Sequence, residues 1–149
     1  MLAAENGHKD AVKFLVDKGV DVSLVDKRGE NILHCACKGG HVKVVECILS
    51  RKMVEIDSLA HSRKTPVILA GEQGHKEAVE SLVKYGADLS LRDKRRNNVL
   101  YYASEKGHLG VVKYIISLHK ININSRGFEM KTPVMLAGYS GHIEVVCFS

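Results

Sequence analysis

The sequence predicts an all-α solenoid, in which helix-turn-helix units stack side by side and are joined by short β-hairpin-like loops. Three observations predict it. Gly-His dipeptides recur at Gly7-His8, Gly40-His41, Gly74-His75, Gly107-His108 and Gly141-His142, at spacings of 33, 34, 33 and 34 residues, a period that marks repeat architectures. An apolar segment precedes every dipeptide, and a longer one follows each of the first four. Four positions in matching register, Asn31, Thr65, Asn98 and Thr132, carry side chains that accept hydrogen bonds from the unpaired amides of a helix start.

The first helix of a unit begins at such a cap. Pro66 and Pro133, the chain's only prolines, follow Thr65 and Thr132, where a missing amide hydrogen costs nothing and φ is already helical. This helix runs about eight residues before Gly40, Gly74, Gly107 or Gly141 stops it, glycine being the residue that enters the left-handed C-terminal turn without strain. The second helix carries an i, i+3, i+4 apolar stripe: Val12/Leu15/Val16, Val45/Ile48/Leu49, Val79/Leu82/Val83 and Val112/Ile115/Ile116. One face of it is therefore buried. Helices of about ten residues are marginal alone in water, so the units must stack to share a core.

A longer echo has a period of 67 residues. The segment from Gly19 to Leu33 resembles that from Gly86 to Leu100, and KTPVILAG at 64–71 resembles KTPVMLAG at 131–138. Units whose second helix ends at Gly19 or Gly86 are tight, whereas those passing through Lys52 or Lys120 carry one extra residue. Two kinds of joint are expected.

At 149 residues the chain has room for one compact domain or one short solenoid. Its 45% hydrophobic and 26% charged residues exclude the composition of a disordered chain. No apolar run approaches the length of a membrane span, and the N-terminal stretch MLAAENGHKD lacks the basic and apolar regions of a secretory leader. Of the four cysteines, Cys35, Cys37 and Cys47 cluster and Cys147 stands apart. Without a secretory context they are expected to be reduced thiols, and the chain is expected to be intracellular, cytoplasmic or nuclear.

With these residues in hand, the chain resembles the ankyrin repeat family, whose unit reads D-x-x-G-x-T-P-L-H-x-A-A-x-x-G-H-x-x-V-V-x-x-L-L-x-x-G-A-D-V-N. The resemblance covers the whole chain as one array: a partial unit at 1–25, full units at 26–59, 60–92 and 93–126, and a partial unit at 127–149. Some positions depart from the pattern. The loop glycine survives only as Gly29, with Arg63, Arg96 and Met130 elsewhere, so less regular tips are expected. The first-helix histidine survives only as His34, with Ile68, Tyr101 and Met135 elsewhere. The last stripe starts at Val146 and meets Ser149 where leucine is expected. Neither end reads as a polar cap, which suggests part of a longer array whose ends can self-associate.

The chemistry-bearing residues read as structural. Five of the eight histidines belong to the Gly-His pairs, where the family's ring ties neighbouring backbone together. In the cluster His34, Cys35, Cys37 and His41, residues two apart on a helix point about 200° apart, so buried core cysteines, Cys47 on the facing helix included, are expected rather than a zinc site. No G-x-S-x-G, H-E-x-x-H, phosphate-loop or dinucleotide signature occurs. The reading is of no enzyme, cofactor or metal. By resemblance, Asn124 occupies the position that asparaginyl hydroxylases modify in some ankyrin proteins, with Asp57 its counterpart one unit pair earlier.

The surface signal lies in the loops. Formal charge over the four tips is 0 at 25–30, +2 at 60–65, +3 at 91–96 and +1 at 126–131, together more than the whole chain's +5. The resemblance implies a protein partner, bound by the tips and by the two positions ahead of each Gly-His. The predicted partner-binding residues at the tips are Lys27, Arg28, His61, Arg63, Lys64, Lys94, Arg95, Arg96 and Phe128. Those on the inner helices are Lys38, Glu72, Gln73, Glu105, Lys106 and Tyr139. Tyr101, Tyr102 and Tyr139 are candidate aromatic anchors, Tyr101 being in a usually buried slot. The leading expectation is a non-catalytic module for a protein partner, one with an acidic or mixed-charge segment. A polyanion (nucleic acid or phosphoinositide) bound by the basic edge and a purely architectural spacer stay open as alternatives. Nucleic acid is disfavoured by the lack of tryptophan and the few tyrosines, a poor base-stacking platform.

Overall fold

A computed structural model describes residues 1–148. Among them are ten α-helices: α1 (Leu2–Glu5), α2 (Lys9–Asp17), α3 (Ile32–Gly39), α4 (Val42–Ser50), α5 (Pro66–Glu72), α6 (Lys76–Lys84), α7 (Val99–Glu105), α8 (Leu109–Ser117), α9 (Pro133–Tyr139) and α10 (Ile143–Phe148). The odd-numbered helices pack in one row, the even-numbered ones in a second, and each odd helix packs on the even helix that follows it. Ser149, expected to interrupt the last stripe, lies outside the described residues.

The helix starts form as their caps predict. The Asn31 side chain accepts from the amides of Leu33 and His34, and Thr65, Asn98 and Thr132 accept from those of Ile68, Tyr101 and Met135. These four first helices span seven or eight residues. Gly40 ends α3 at φ 71°, and Gly74 and Gly107 take φ 78° and 75° just beyond α5 and α7, the left-handed turn that lets the chain reverse into the second helix.

The apolar stripes meet between the two rows. Leu33, Ile48, Ile68, Leu82, Leu100 and Ile115 are fully buried and belong to one continuous cluster. Burying such a side chain stabilises by roughly 1.5–3 kcal/mol, and here nearly all of that depends on the neighbouring pair. The stripe of α2 shows the dependence: Val12 is buried but Leu15 is 44% exposed, because α2 has another outer-row helix, α4, on one side alone.

Both kinds of joint turn through a left-handed residue. The tight ones use Gly19 and Gly86, whereas the longer ones place Lys52 and His119 at φ 50° and 53°.

No strand forms among the described residues, and each tip is a hairpin-like turn closed by a backbone bond. The expectation of less regular tips is corrected for the second and third, which match the first although they lack its glycine. Asp26, Ala60 and Asp93 donate to the carbonyls of Glu30, Lys64 and Asn97 at 2.9, 3.1 and 3.0 Å. Gly29 takes φ 74°, and Arg63 and Arg96 adopt the same left-handed conformation at 62° and 67°. The last tip keeps the closing bond, from the Gly127 amide to Lys131 O at 3.0 Å, and a left-handed Met130 at the matching position, but adds a left-handed Glu129 and a 3₁₀ turn at Phe128–Met130. Successive tips are bonded: the His61 amide donates to Arg28 O at 2.8 Å and the Lys94 amide to Ser62 O at 3.0 Å.

Candidate functional site

The turns lie beside the inner row of helices, and two of them share a groove with α3 and α5. Seven of the predicted partner-binding residues, Lys27, Arg28, Lys38, His61, Lys64, Glu72 and Gln73, line a single groove of about 500 Å³. They come from two adjacent tips and from α3 and α5. Leu69 gives this groove an apolar element. Arg63, Lys94, Arg95 and Arg96 stand exposed along the tip row outside it. Lys106 is exposed and Glu105 half-buried at the end of α7.

One geometric rule organises the groove. In three of the four capped pairs the residue before the cap faces the residue eight positions later, near the end of the first helix. In the second helix pair this is Glu30 with Lys38, 3.9 Å apart. In the third the charges are exchanged, and Lys64 bonds Glu72 at 2.7 Å. In the fifth the Lys131 ammonium lies 5.1 Å from the centre of the Tyr139 ring. The fourth has Asn97 and Glu105 at these positions, and Asn97 bonds elsewhere: its Oδ1 accepts the Phe128 amide at 2.8 Å.

Sequence reasoning missed Glu30. It is 6% exposed, and Arg28 Nη2 approaches its Oε2 to 3.2 Å. That oxygen is close to two cations, yet no donor is aligned to make a hydrogen bond with it. The Glu30 charge, ahead of the attraction from Asp26, raises the pKa of the Arg28 guanidinium. The available signal was the pair of opposite charges eight residues apart, repeated one unit later with its signs reversed.

Lys64 is less available than its place in the groove suggests. Besides Glu72, its ammonium sits 4.2 Å from the centre of the Tyr102 ring. The outward cations are instead Lys27, Arg63, Lys94 and Arg96, which are exposed and form no ion pair among the described residues. Arg95 packs over the exposed Phe128 ring at 5.2 Å.

The aromatic anchors need correction. Tyr102 is 6% exposed, and its hydroxyl donates to Asp93 Oδ2 at 2.6 Å. Burial first, and the carboxylate second, push its phenol pKa up. Tyr101 is buried and donates to Phe128 O at 3.3 Å. These two tie α7 to the tip before it and to the tip of the next unit, and Tyr139, 84% exposed, remains on the surface.

The histidine and cysteine cluster is committed to structure. His34 is fully buried, its Nε2–H donating to Lys64 O at 3.1 Å and its Nδ1 accepting the Asn31 amide at 3.2 Å. Burial lowers its pKa, so the ring is neutral. His41 donates from Nε2 to Glu5 O at 2.7 Å. Cys35 and Cys37 are buried in the core, and burial raises the Cys37 thiol pKa. Cys47 is only half-buried, on the outer row, contrary to the expectation that all three cysteines would be interior. Among the described residues no three His, Cys, Asp or Glu side chains gather as metal ligands would.

A two-row helical solenoid with successive turns bonded to one another defines a helical repeat scaffold. Family models of ankyrin repeats match residues 1–93 and 82–137. The chain belongs to the ankyrin repeat family. Among curated proteins it is 29% identical over 133 residues to the palmitoyltransferase AKR1 of Lachancea kluyveri, covering 87% of this chain and 17% of that protein. It is 31% identical over 136 residues to the putative palmitoyltransferase ZDHHC13 of Danio rerio, covering 91% and 21%. It is 24% identical over 136 residues to the human neurogenic locus notch homolog protein 1, covering 91% and 5%. The chain thus spans about a fifth or less of the length of these relatives. Ankyrin repeats are generally protein-interaction modules and their fold is typically non-catalytic. No helix among the described residues is long and apolar enough to cross a membrane.

Proposed function

We infer that this chain is a non-catalytic, intracellular binding module that holds a protein partner through its concave inner-helix face and its basic row of tips, the partner presenting an acidic or mixed-charge segment. The groove between the second and third pairs carries the reading. It offers a concavity of about 500 Å³, an apolar element in Leu69, and four cations against two carboxylates. Lys27 and Arg28 at its rim meet an incoming carboxylate, and Lys94 and Arg96 further along the row steer the encounter. Exposed Phe128 and Tyr139 supply rigid apolar area toward the far end.

The backbone supports the same reading. Arg63 and Arg96 hold a left-handed conformation that costs a side-chain-bearing residue roughly 1–2 kcal/mol. Arginine at a position suited to glycine, on an exposed tip, is consistent with a surface kept for contact rather than for stability.

Peptides selected from a random displayed library test this, followed by binding kinetics. Selected sequences should be rich in Asp and Glu. Reversing Lys94, Arg95 and Arg96 to glutamate should slow association about tenfold at low salt and leave far-ultraviolet circular dichroism unchanged, and Lys38→Glu should speed dissociation. Peptides without acidic bias, or kinetics indifferent to these changes, would overturn the reading.

A further inference from the structure

The outer row carries a second concavity, away from the tips. It is a groove of about 390 Å³ lined by Lys9 and Lys13 from α2, Lys43 and Glu46 from α4, Arg51 just beyond α4, and Lys84 from α6. Five cations and one carboxylate face it, against four and two in the concave groove. The concave groove pairs two of its lysines internally, Lys38 with Glu30 and Lys64 with Glu72. Here Lys9, Lys13, Lys43 and Lys84 form no ion pair among the described residues.

This charge is sorted rather than merely abundant. Helices α2 and α6 carry as many acids as bases, Asp10 and Asp17 beside Lys9 and Lys13, and Glu77 and Glu80 beside Lys76 and Lys84. Of these acids none lines the groove. Glu80 is engaged away from it by Lys76 at 3.2 Å. Asp17 holds Arg51 Nη1 at 2.8 Å, which fixes the guanidinium across the seam between α2 and α4 and leaves its remaining N–H groups available. Cations so gathered repel one another, and a multiply charged anion relieves that repulsion.

The groove also has an end. On and just beyond α8 the positions equivalent to Lys9, Lys43, Lys84 and Arg51 are Leu109, Gly110, Ser117 and Leu118, and only that of Lys13 is a cation, Lys113, whose ammonium lies 5.2 Å from the centre of the Phe148 ring. The basic surface therefore does not run on as a track for a nucleic-acid backbone. Its volume lies within the roughly 300–1,000 Å³ of small-ligand sites.

We propose that this outer-row groove binds a compact ligand bearing several phosphate groups, of inositol-polyphosphate chemistry, either free or as a lipid headgroup. The lysines act as point charges around the phosphates, and Arg51 supplies a planar fork for one of them. The site is independent of the concave face, so a protein partner can be held there at the same time.

The test uses the whole chain and two probes. Calorimetry with inositol hexakisphosphate reads the soluble ligand, and sedimentation with phosphatidylcholine vesicles containing phosphatidylinositol bisphosphate reads the lipid. The double variant Lys43→Glu/Lys84→Glu should weaken binding at least about tenfold. A charge-matched control remote from the groove, Lys120→Glu/Arg126→Glu, should stay within about twofold. Cys47 lies in the groove and Cys147 does not, so the ligand should slow alkylation of Cys47 and leave Cys147 unaffected. Binding of the soluble probe alone assigns a free ligand, and vesicle binding with the same sensitivity assigns a lipid headgroup. Failure of both probes, equal weakening in the control variant, unprotected Cys47, or displacement by single-stranded RNA at comparable concentration would each overturn the proposal.

Discussion

The His108 ring donates from Nε2 to the carbonyl oxygen of Glu72, 2.9 Å away and 36 positions earlier in the chain. Its other face lies against Gly74, where an added Cβ would come 2.5 Å from the ring's Nδ1. The same ring-to-glycine seating joins His41 to Gly7, His75 to Gly40 and His142 to Gly107, with Nε2 bonds to the carbonyls of Glu5, Lys38 and Glu105. One side chain thus links each helix pair to the one before it.

Breaking this link should therefore act on coupling between pairs. His108→Ala should cost about 1–3 kcal/mol, the penalty for orphaning a part-buried carbonyl and losing its packing. Gly74→Ala should cost at least about 1 kcal/mol, since it adds both left-handed strain and a clash. Urea denaturation followed by circular dichroism checks both, with a broadened or biphasic transition expected as the pairs uncouple. A midpoint unchanged in both variants would show that the seam is decorative.

Tyr102 and Tyr139 should behave oppositely. Tyr102→Phe leaves Asp93 Oδ2 without the hydroxyl bonded at 2.6 Å and should cost about 1–3 kcal/mol. Tyr139→Ala, at a ring 84% exposed, should shift stability by less than about 0.5 kcal/mol. Equal effects in thermal denaturation would contradict the assignment of Tyr102 to the interior.

Stability should rise with pH through the histidine range. Burial lowers the pKa of His34 below the ordinary 6.5, so the unfolded chain binds this proton more tightly than the folded one. Its contribution is complete above about pH 6.5 and is lost as pH falls from there toward the folded value. Urea midpoints at pH about 7.5 and about 5.5 should differ in that direction. A slope untouched by His34→Gln would assign the effect to another group.

The tips make a further prediction about conformation. Arg96 sits at φ 67°, so Arg96→Gly should stabilise the fold by up to about 1 kcal/mol once the added freedom of the unfolded chain is subtracted. Gly29→Ala should do the reverse, because its Cβ would lie 2.8 Å from the His61 backbone nitrogen. Differential scanning calorimetry reads both signs, and a stabilised Gly29→Ala would refute the turn geometry.

The candidate site was only partly legible beforehand. Lys27, Arg28, Lys38, His61, Lys64, Glu72 and Gln73 could be named as candidates because the family resemblance implies tip and inner-helix contact positions, and the register of the repeat locates them. That Glu30 lies buried beneath them could not, because an acid beside a cap reads as surface until the helix eight residues on folds against it. Tyr102 was misread for a similar reason: its hydroxyl is satisfied by Asp93, nine positions earlier, across a turn.

The linear chain by itself determined the helix pairs, their caps and their order, because capping, glycine turns and the apolar stripe are local properties that repeat about every 33 residues. Only the tertiary structure decided which charges neutralise one another and which stay exposed. Lys64 is held by Glu72 and Tyr102, whereas Lys43 and Lys84 line the outer groove and form no ion pair among the described residues. The physical reason is range: a cap or stripe acts within one or two turns, but a charge feels whatever the stacking of separate units brings within a few ångströms.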